Sequence, residues 1–321
     1  MTVAAGTAKP WLERLLAGDR PVLSRAISAL ENETREASAI IRGIYPHLGR
    51  AAVVGFTGSP GVGKSTLVNS YITLLCKKGL QVGVIAVDPS SPLSGGAILG
   101  DRIRMATQEH LDNLFIRSLA SRCHVGGLSR ATARVVDVMD AAGMDVIVIE
   151  TVGAGQSEVE IAEIAPTKVV VCSPGLGDDV QAIKAGILEI ADILVVNKCD
   201  LPLTNHTNRQ LKGMLALREE KPDWPTPVLN TSAIDGSGVP ELAEAIENHR
   251  TVLTQRDGDS VGGGKSRMIK LLANAAADAV KKNLLTSTSE EVARICDGVL
   301  KGELLFDEAT KQMTSLAVQD Q

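Results

Sequence analysis

A nine-residue stretch, GSPGVGKST at positions 58–66, constrains the fold of this chain more than any other segment. It satisfies the pattern G-x-x-x-x-G-K-[S/T], in which the last two positions are Lys64 and Ser65. The apolar run AAVVGF (51–56) precedes the glycines, and a helical pattern follows them. A glycine loop between a buried strand and a helix turns backbone N–H groups toward a bound phosphate. The stretch therefore predicts a parallel-sheet nucleotide-binding fold.

Short apolar runs alternate with helical patterns over much of the chain, which predicts the α/β class. Only 2% of residues are aromatic, so the core is built of Val, Ile, Leu and Ala. That composition suits a mostly parallel sheet flanked by helices, in which ligands bind beyond the carboxyl ends of the strands. The predicted strands are 51–56, 81–87, 114–119, 145–150, 168–173, 192–197 and 227–232. The predicted helices between them include Lys64 to Lys78, Ser129 to Ala142 and Val180 to Ile190.

The phosphate loop predicts a role for each part of the 58–66 stretch. Its backbone N–H groups wrap the β-phosphate, Lys64 reaches the β- and γ-oxygens, and the Ser65 hydroxyl ligates Mg²⁺. The residues expected to contact the nucleotide here are Gly58, Pro60, Gly61, Val62, Gly63, Lys64, Ser65 and Thr66.

The tetrapeptide NKCD, which ends at Asp200, follows the predicted strand DILVVN. A carboxylate at this position accepts hydrogen bonds from guanine N1–H and N2–H₂, which adenine does not offer, so ATP is rejected by a factor of about 10⁴. We expect Asn197 to tie this loop to the phosphate loop and the Lys198 stem to cover the base. Ser232 and Ala233, in the stretch TSA at the end of the last predicted strand, are expected to close over the guanine.

Three carboxylates compete for the metal region beside Ser65. Asp88 ends the second predicted strand, Asp101 lies in the stretch GGAILGDRIRM, and Glu150 ends the run DVIVIE. Mg²⁺ prefers six oxygen ligands and usually keeps several waters, so one or two carboxylates suffice. Each of the three is otherwise a helix cap or a solvated loop residue.

The stretch ETVGAGQSE, which begins at Glu150, has the form of a phosphate-sensing switch, yet Ala154 stands where signalling GTPases place a catalytic Gln. Gln156 is nearby. A second glycine-rich loop, SPGLGDDVQAIK, carries Gln181 and Lys184, which are either ordinary helix residues or groups that respond to the nucleotide. The candidate catalytic residues are Lys64, Glu150, Gln156 and Lys184, and the sequence leaves open which residue positions the attacking water.

The bulk properties exclude several classes of protein. A net charge of −5 gives no support for binding nucleic acid or an anionic membrane. The five cysteines are scattered without a C-x-x-C pair, so neither a disulfide framework nor a zinc knuckle is expected. The N-terminal stretch lacks the pattern of a signal peptide, and no apolar run is long enough to span a membrane. We expect a cytoplasmic protein.

Several long motifs in a fixed order resemble the MeaB/ArgK family of P-loop GTPases. They are GSPGVGKST, VDPSSP, SGGAILGDRIRM, GGLSRAT, ETVGAGQSE, GLGDDVQAIK and NKCD. Members of this family are G-protein chaperones of adenosylcobalamin-dependent acyl-CoA mutases such as methylmalonyl-CoA mutase. The resemblance covers about residues 11 to 300.

The resemblance implies three parts of the chain. A helical extension is expected at 1–48, where residues 11 to 48 show helical periodicity, and the P-loop GTPase domain at 49–255. The Gly-rich linker RDGDSVGGGK and two or three helices, from 266 to 285 and from 290 to the end, form a third part at 256–321. The family likeness makes this third part a dimerisation arm.

The resemblance also implies a function. GTP binding and slow Mg²⁺-dependent hydrolysis, accelerated by a partner, would gate the loading and repair of adenosylcobalamin in the mutase. No D-x-H-x-x-G stretch occurs in this chain, so the cobalamin is expected on the partner. By the same likeness, Gln181 and Lys184 are candidates for coupling the nucleotide to the mutase.

The chain departs from its relatives at three places. It has Gly100-Asp101-Arg102 where they usually have GDK, the stretch IRSLASRCHVGG where they have IRPSPSRGTLGG, and LGDD in place of GGDE. These changes leave the nucleotide chemistry intact and leave the client mutase open, including a mutase of another branched or hydroxylated acyl-CoA.

Three other functions compete with the chaperone interpretation. Metal-insertion GTPases share the phosphate loop and the Glu switch, but usually carry His-rich or Cys/His clusters, whereas this chain has five scattered His. A kinase needs an acceptor pocket and a base, neither of which is recognisable here. A nucleotide-binding interaction module without turnover is distinguished only by a hydrolysis assay.

Overall fold

Seven strands form one sheet, and the computed structural model describes residues 8–32, 34–89, 111–121, 127–151, 164–175, 188–217, 223–256, 264–287 and 289–319. The strands are β1 (Ala52–Thr57), β2 (Val82–Pro89), β3 (Leu114–Ser121), β4 (Val146–Thr151), β5 (Thr167–Cys172), β6 (Ile193–Val196) and β7 (Val228–Asn230). Their order is β3-β2-β4-β1-β5-β6-β7, and every neighbouring pair is parallel. The predicted α/β fold is confirmed, and each predicted strand lies within two residues of its expected bounds.

Helices flank the sheet and extend the chain at both ends. They are α1 (Ala8–Leu16), α2 (Arg20–Glu31), α3 (Ala37–Ile44), α4 (Lys64–Lys77), α5 (Gly127–Ala141), α6 (Leu188–Ile190), α7 (Thr204–Ala216), α8 (Val239–Arg256), α9 (Gly264–Thr286), α10 (Glu290–Leu300) and α11 (Phe306–Gln319). Helices α7 and α8 were not among those that the sequence predicted. Most of the predicted helix at 180–190 lies outside the described residues.

The N-terminal extension is not one helical run from 11 to 48, as the periodicity indicated, but three helices and a 3-10 turn. The first break has a local cause: Gly18 has a φ of 78°, and the Asp19 side chain accepts a hydrogen bond from Val22 N as the N-cap of α2. A proline in the first turn of α2 supports the new start. The apolar stripe therefore continues across helix boundaries that periodicity alone does not reveal.

The sheet places the ends of β1 and β4 side by side beneath the phosphate loop. Phe56 pairs with Glu150 in the parallel register of these two strands. Strand β1 is central, since β4 lies on one side of it and β5 on the other. The chain changes direction across the sheet at this point, which is where open parallel sheets bind their ligands.

One face of the sheet packs against α4 and α8. Val54, Phe56, Val148 and Val195 point into this layer, where Leu242 of α8 is also fully buried. Burying each of these side chains contributes about 1.5–3 kcal/mol relative to exposure. This layer fixes α4, and with it the first helical turn after the phosphate loop.

On the other face, α2 and α3 pack against α5. The Asp140 carboxylate of α5 accepts hydrogen bonds from the backbone N–H groups of Arg50 and Ala51, at 3.0 and 2.9 Å. Arg20 of α2 donates to the carbonyl oxygen of Asp112 at 3.0 Å. The segment that enters β1 is thus joined to α5, against which α2 and α3 pack, and α2 is joined directly to the segment that enters β3.

The chain divides into two compact units, Met1–Arg267 and Met268–Gln321. In the second unit α10 and α11 pack against each other, with Leu304 beside Gly298. Much of its apolar surface is exposed, at Ile269, Leu272, Leu285, Leu300, Leu305 and Phe306. Within the described ranges, no helix is long and apolar enough to cross a membrane.

Candidate functional site

The phosphate loop runs from the end of β1 to the first turn of α4, and two of its glycines have no substitute. Gly58 has a φ of 137°, and a Cβ there would lie 2.0 Å from the carbonyl oxygen of Val171. Gly63 has a φ of 89°, and its Cβ would lie 2.6 Å from Asn197 Nδ2. Because both positions combine a positive φ with close contact, a side chain at either would displace the loop.

Lys64 begins α4 and is 7% exposed. Its Nζ donates to the carbonyl oxygens of Gly58 and Ser59, the latter at 2.9 Å. The ammonium group is therefore held over the loop at the residues that flank the proposed phosphate position. A charged phosphate oxygen is a stronger partner for an ammonium group than a neutral carbonyl oxygen, so this position of Lys64 suits a bound phosphate.

Ser65 joins the phosphate loop to the end of β4. Its Oγ donates to Glu150 Oε1 at 2.5 Å, and the Glu150 side chain is 2% exposed. A hydroxyl and a buried carboxylate side by side are hard oxygen donors of the type that Mg²⁺ prefers. These residues fit a magnesium ion at this position, with its remaining ligands supplied by water and phosphate.

Asn197 connects the phosphate loop with the loop after β7. Its Nδ2 donates to Val62 O at 2.9 Å, and its Oδ1 accepts from Thr231 Oγ1 at 3.1 Å and from Ala233 N at 3.2 Å. Asn197 itself is 1% exposed. One buried amide thus uses both its donor and its acceptor sides to hold two loops that are far apart in sequence.

Lys198 follows with a φ of 56°, a rare conformation for a residue other than glycine. Its Nζ donates to the carbonyl oxygen of Gly61 at 2.7 Å, so its stem spans the gap between the two loops. Asp200 is exposed in the turn that follows, and Pro60 and Thr66 are exposed on the phosphate loop side.

The loop after β7 contains Ser232 and Ala233, which are 4% and 8% exposed. Ser232 N donates to Ser237 O at 2.9 Å, which closes the loop on itself. The backbone N–H of Ser237 donates to Asp235 Oδ1 at 2.9 Å and, with the Ser237 and Ser232 hydroxyls, holds the pKa of the Asp235 carboxyl below its usual value. The loop is therefore braced internally as well as by Asn197.

Several predicted site residues fall outside the described part of the chain. Asp101, Gln156, Gln181 and Lys184 lie there entirely. Asp88 lies within β2, where its backbone pairs with Ala120, but its side chain is not described. The structure therefore brings together Lys64, Ser65 and Glu150 at the phosphate end, and Asn197, Lys198 and Ala233 at the base end.

Sequence reasoning missed Ser70 and Thr231. Ser70 Oγ donates to Ala233 O at 2.8 Å, and Thr231 Oγ1 donates to Asn197. Thr231 stands in the TSA stretch that sequence reasoning identified, so its polar side chain beside Ser232 was a usable signal. Ser70 had no such signal, because its partner is 163 residues away.

Comparison with known proteins gives the family. The family model of the methylmalonyl-CoA mutase-associated GTPase MeaB matches residues 23–289. The chain belongs to the MeaB family. This confirms the likeness that the motifs indicated.

Individual relatives agree with the family match. The chain is 46% identical to a putative GTPase of Pyrococcus horikoshii, over 87% of this chain and 89% of that protein. It is 39% identical to the GTPase ArgK of Escherichia coli, over 76% of each chain. The methylmalonic aciduria type A homolog of mouse mitochondria is 37% identical, over 60% of this chain and 48% of that protein.

A solved structure extends the likeness to the fold. The crystal structure of an LAO/AO transport system kinase has a TM-score of 0.73 and 28% identity, and the match covers 98% of this chain and 99% of that one. Family and fold together make this chain a P-loop GTPase that binds guanine nucleotide.

Proposed function

We propose that this MeaB-family GTPase is a chaperone that gates adenosylcobalamin loading and repair in a partner acyl-CoA mutase, either methylmalonyl-CoA mutase or a related enzyme. The observation that carries the proposal is the family match, whose description names association with methylmalonyl-CoA mutase. The mouse relative, the methylmalonic aciduria type A homolog, supports it. Cobalamin belongs on the partner, because no D-x-H-x-x-G stretch occurs in this sequence.

The phosphate end of the site supports GTP turnover through residues that already converge there. Lys64 exchanges the carbonyl oxygens of Gly58 and Ser59 for the β- and γ-oxygens of the nucleotide. Ser65 and Glu150, with Asp88 and Asp101 as further candidates, would hold Mg²⁺, directly or through water. The metal supplies charge neutralisation at the phosphate oxygens.

The base end supports selection of guanine. Asp200 accepts hydrogen bonds from guanine N1–H and N2–H₂, the Lys198 stem covers one side of the base, and Ser232 and Ala233 close over it. Asn197 fixes the position of the base end relative to the phosphate loop, since it is hydrogen-bonded to both Val62 and Ala233.

Turnover is slow in the isolated chain. Ala154 occupies the place of the catalytic Gln of signalling GTPases, so water positioning depends on Gln156, on Lys184 or on a residue of the partner. The partner raises the rate by ordering the switch loops. The rate of GTP hydrolysis therefore sets how long the GTP-bound chaperone acts on the mutase.

The three parts expected from the sequence, 1–48, 49–255 and 256–321, have different roles. The middle part turns over the nucleotide, and the C-terminal part joins two copies into a homodimer. The exposed apolar side chains of the second unit support this, because side chains such as Leu300 (85% exposed) and Phe306 (76% exposed) gain stability when a partner covers them. Leu300→Asp or Phe306→Asp should convert the dimer to a monomer by light scattering, whereas Thr314→Asp on the same unit should not.

The decisive experiment measures GTP turnover by the purified chain alone and with candidate acyl-CoA mutases, with ATP and an EDTA-treated sample as controls. Slow, Mg²⁺-dependent turnover of GTP that rises with one mutase supports the chaperone and names its client. Turnover that no mutase changes contradicts the chaperone role. Preference for ATP contradicts the role of Asp200 and favours a kinase, the name carried by the solved relative.

A further inference from the structure

Ser70 lies on α4 and donates a hydrogen bond across to the loop after β7. Its Oγ is 2.8 Å from the carbonyl oxygen of Ala233 and 3.2 Å from that of Thr66, one turn back in its own helix. A serine hydroxyl has a single proton to donate. The shorter contact is the one to Ala233, so the proton is best placed there and not on the helix.

An ordinary polar residue in this helix behaves differently. Thr73, three residues further along α4, donates to Asn69 O at 2.7 Å, which is the usual bond of a helical hydroxyl to the carbonyl four residues back. Ser70 could donate to the carbonyl oxygen of Thr66 in the same way, but that distance is longer, at 3.2 Å. The shorter distance, to Ala233 O, shows that the Ser70 hydroxyl joins two elements.

The Ala233 backbone is held at its N–H and at its carbonyl group by different elements. Asn197, after β6, accepts its N–H, and Ser70, on α4, donates to its carbonyl oxygen. Ala233 itself is 8% exposed and belongs to the core layer that contains α4 and α8, whereas the next side chain, Ile234, is 89% exposed. Packing therefore holds the Ala233 side chain, and the two hydrogen bonds orient its backbone.

Helix α4 also carries the phosphate-binding residues. Lys64 and Ser65 form its first turn, and Ser70 lies about 9 Å further along the axis at 1.5 Å per residue. Because α4 is packed into the core, this spacing is fixed. One rigid helix thus sets the distance between the phosphate position and the peptide at Ala233.

We propose that Ser70 is a positioning residue for guanine recognition, which holds the Ala233 peptide at a fixed distance from the phosphate loop. Ser70 does not touch the nucleotide. It acts through Ala233, and the inference rests on the proposed role of that loop in closing over the base. Its loss weakens binding of the base and leaves binding of the phosphates and the chemical step largely intact.

The test compares Ser70→Ala with Ser70→Thr, which keeps the hydroxyl, and with Thr73→Ala, which removes a hydroxyl bonded within the same helix. Calorimetry gives the Kd of GDP and of tripolyphosphate, a probe without a base, and steady-state kinetics gives KM and kcat for GTP. One lost hydrogen bond of this kind corresponds to about a fivefold change. We expect Ser70→Ala to raise KM and the Kd of GDP about fivefold, with kcat and tripolyphosphate binding nearly unchanged.

Two control variants distinguish loss of the Ser70 hydroxyl from a general effect of substitution in α4. Ser70→Thr should restore the wild-type values, and Thr73→Ala should match the wild type throughout. An unchanged GDP Kd in Ser70→Ala, or an equal weakening of GDP and tripolyphosphate, would overturn the inference. Asp200→Ala serves as the reference: if it leaves GDP binding unchanged, the base site itself is wrongly assigned, and the inference fails with it.

Discussion

A polar network lies at each end of strands β5 and β6. The network at the amino end contributes to stability, and the one at the carboxyl end holds the candidate site. At the amino end, Thr167 Oγ1 lies 3.0 Å from His249 Nδ1, and Asp192 lies 2.8 Å from Lys168 Nζ and 3.6 Å from His249 Nε2. At the carboxyl end, Asn197 holds the phosphate loop and the loop after β7.

The amino-end network consists of groups that satisfy one another. Trp224 donates from Nε1 to Asp192 O at 2.8 Å, and its ring lies 5.0 Å from that of His249. The network joins β5, β6 and α8 through side chains that are largely buried. Its polar groups are paired with protein, so it contributes to stability and presents nothing to a ligand.

The carboxyl-end network instead directs its strongest donors at main-chain oxygens of the phosphate loop. Lys64 and Lys198 both bond to carbonyl groups there, and Ser65 bonds to Glu150. A lysine can exchange a carbonyl oxygen for a phosphate oxygen at a gain, because the phosphate is charged. Changes at this end should therefore alter nucleotide affinity, and changes at the other end should alter stability.

The largest effect is expected from Lys64→Ala. Removing the cation that faces the transferred phosphoryl group should lower kcat for GTP by about 100-fold or more, while the melting temperature stays close to that of the wild type. Lys77→Ala, at the exposed last turn of the same helix, is the matched control. Turnover within a few-fold of the wild type would contradict the assignment of the carboxyl end as the catalytic site.

Asn197→Ala tests whether the carboxyl-end network also supports the fold. The substitution leaves Val62 O and the Thr231 hydroxyl buried without their partner, which should lower the free energy of unfolding by about 2–3 kcal/mol and weaken GDP binding as well. Denaturant unfolding and calorimetry measure the two effects. Asn208→Ala, which removes a partly exposed bond to Asn230, should change the stability by less than about 0.5 kcal/mol. Wild-type stability of Asn197→Ala would show that the phosphate loop and the loop after β7 keep their positions without the Asn197 hydrogen bonds.

The amino-end network predicts a pH dependence of stability. Burial lowers the pKa of His249; Asp192 opposes the shift, while Lys168 and Arg256 add to it. The folded chain therefore binds fewer protons than the unfolded chain below the ordinary histidine pKa of about 6.5. The contribution is complete above that pH and is lost as the pH falls toward the lowered value.

Thermal unfolding between pH 8 and pH 5 measures this dependence. His249→Gln should reduce the slope of stability against pH below about 6.5 and leave GDP affinity at pH 7.5 unchanged. His206→Gln, on the exposed side of α7, should keep the wild-type slope. A change in GDP affinity on His249→Gln would break the distinction between the two ends.

The smallest effects come from two threonines that should respond with opposite signs. Thr57 is fully buried at the carboxyl end of β1, and its hydroxyl has no hydrogen-bond partner among the described residues. Thr57→Val should therefore raise the free energy of unfolding by about 1 kcal/mol. Thr167→Val removes a hydroxyl that is paired with His249 and should lower it by about 1 kcal/mol. Equal signs, measured by urea unfolding, would contradict the pairing pattern.

The strands could be predicted because their signal is local. Runs such as those around Val54, Val148 and Val195 are apolar on both faces, as strands buried on both sides of a parallel sheet must be. The N-terminal breaks could not be placed by the same method. Periodicity continues across the turn at Gly18, although a glycine followed by the N-cap Asp19 was the available signal.

The candidate site could likewise be predicted only in part. Lys64, Ser65 and Asp200 were assigned from motifs, because the chemistry of phosphate and guanine demands particular residue types at fixed spacing. The contact between Ser65 and Glu150 follows from the register of β1 and β4, which the sequence does not contain.

The sequence by itself determined the fold class and the family and predicted the residues that face the nucleotide, since each depends on patterns within a few residues. The tertiary structure alone decided how the two halves of the site are held together. Asn197 and Ser70 bond to the backbone of one residue, Ala233, although they are 127 residues apart along the chain. Such a contact depends on the packing of α4 and β6 in one core, and no local pattern encodes it.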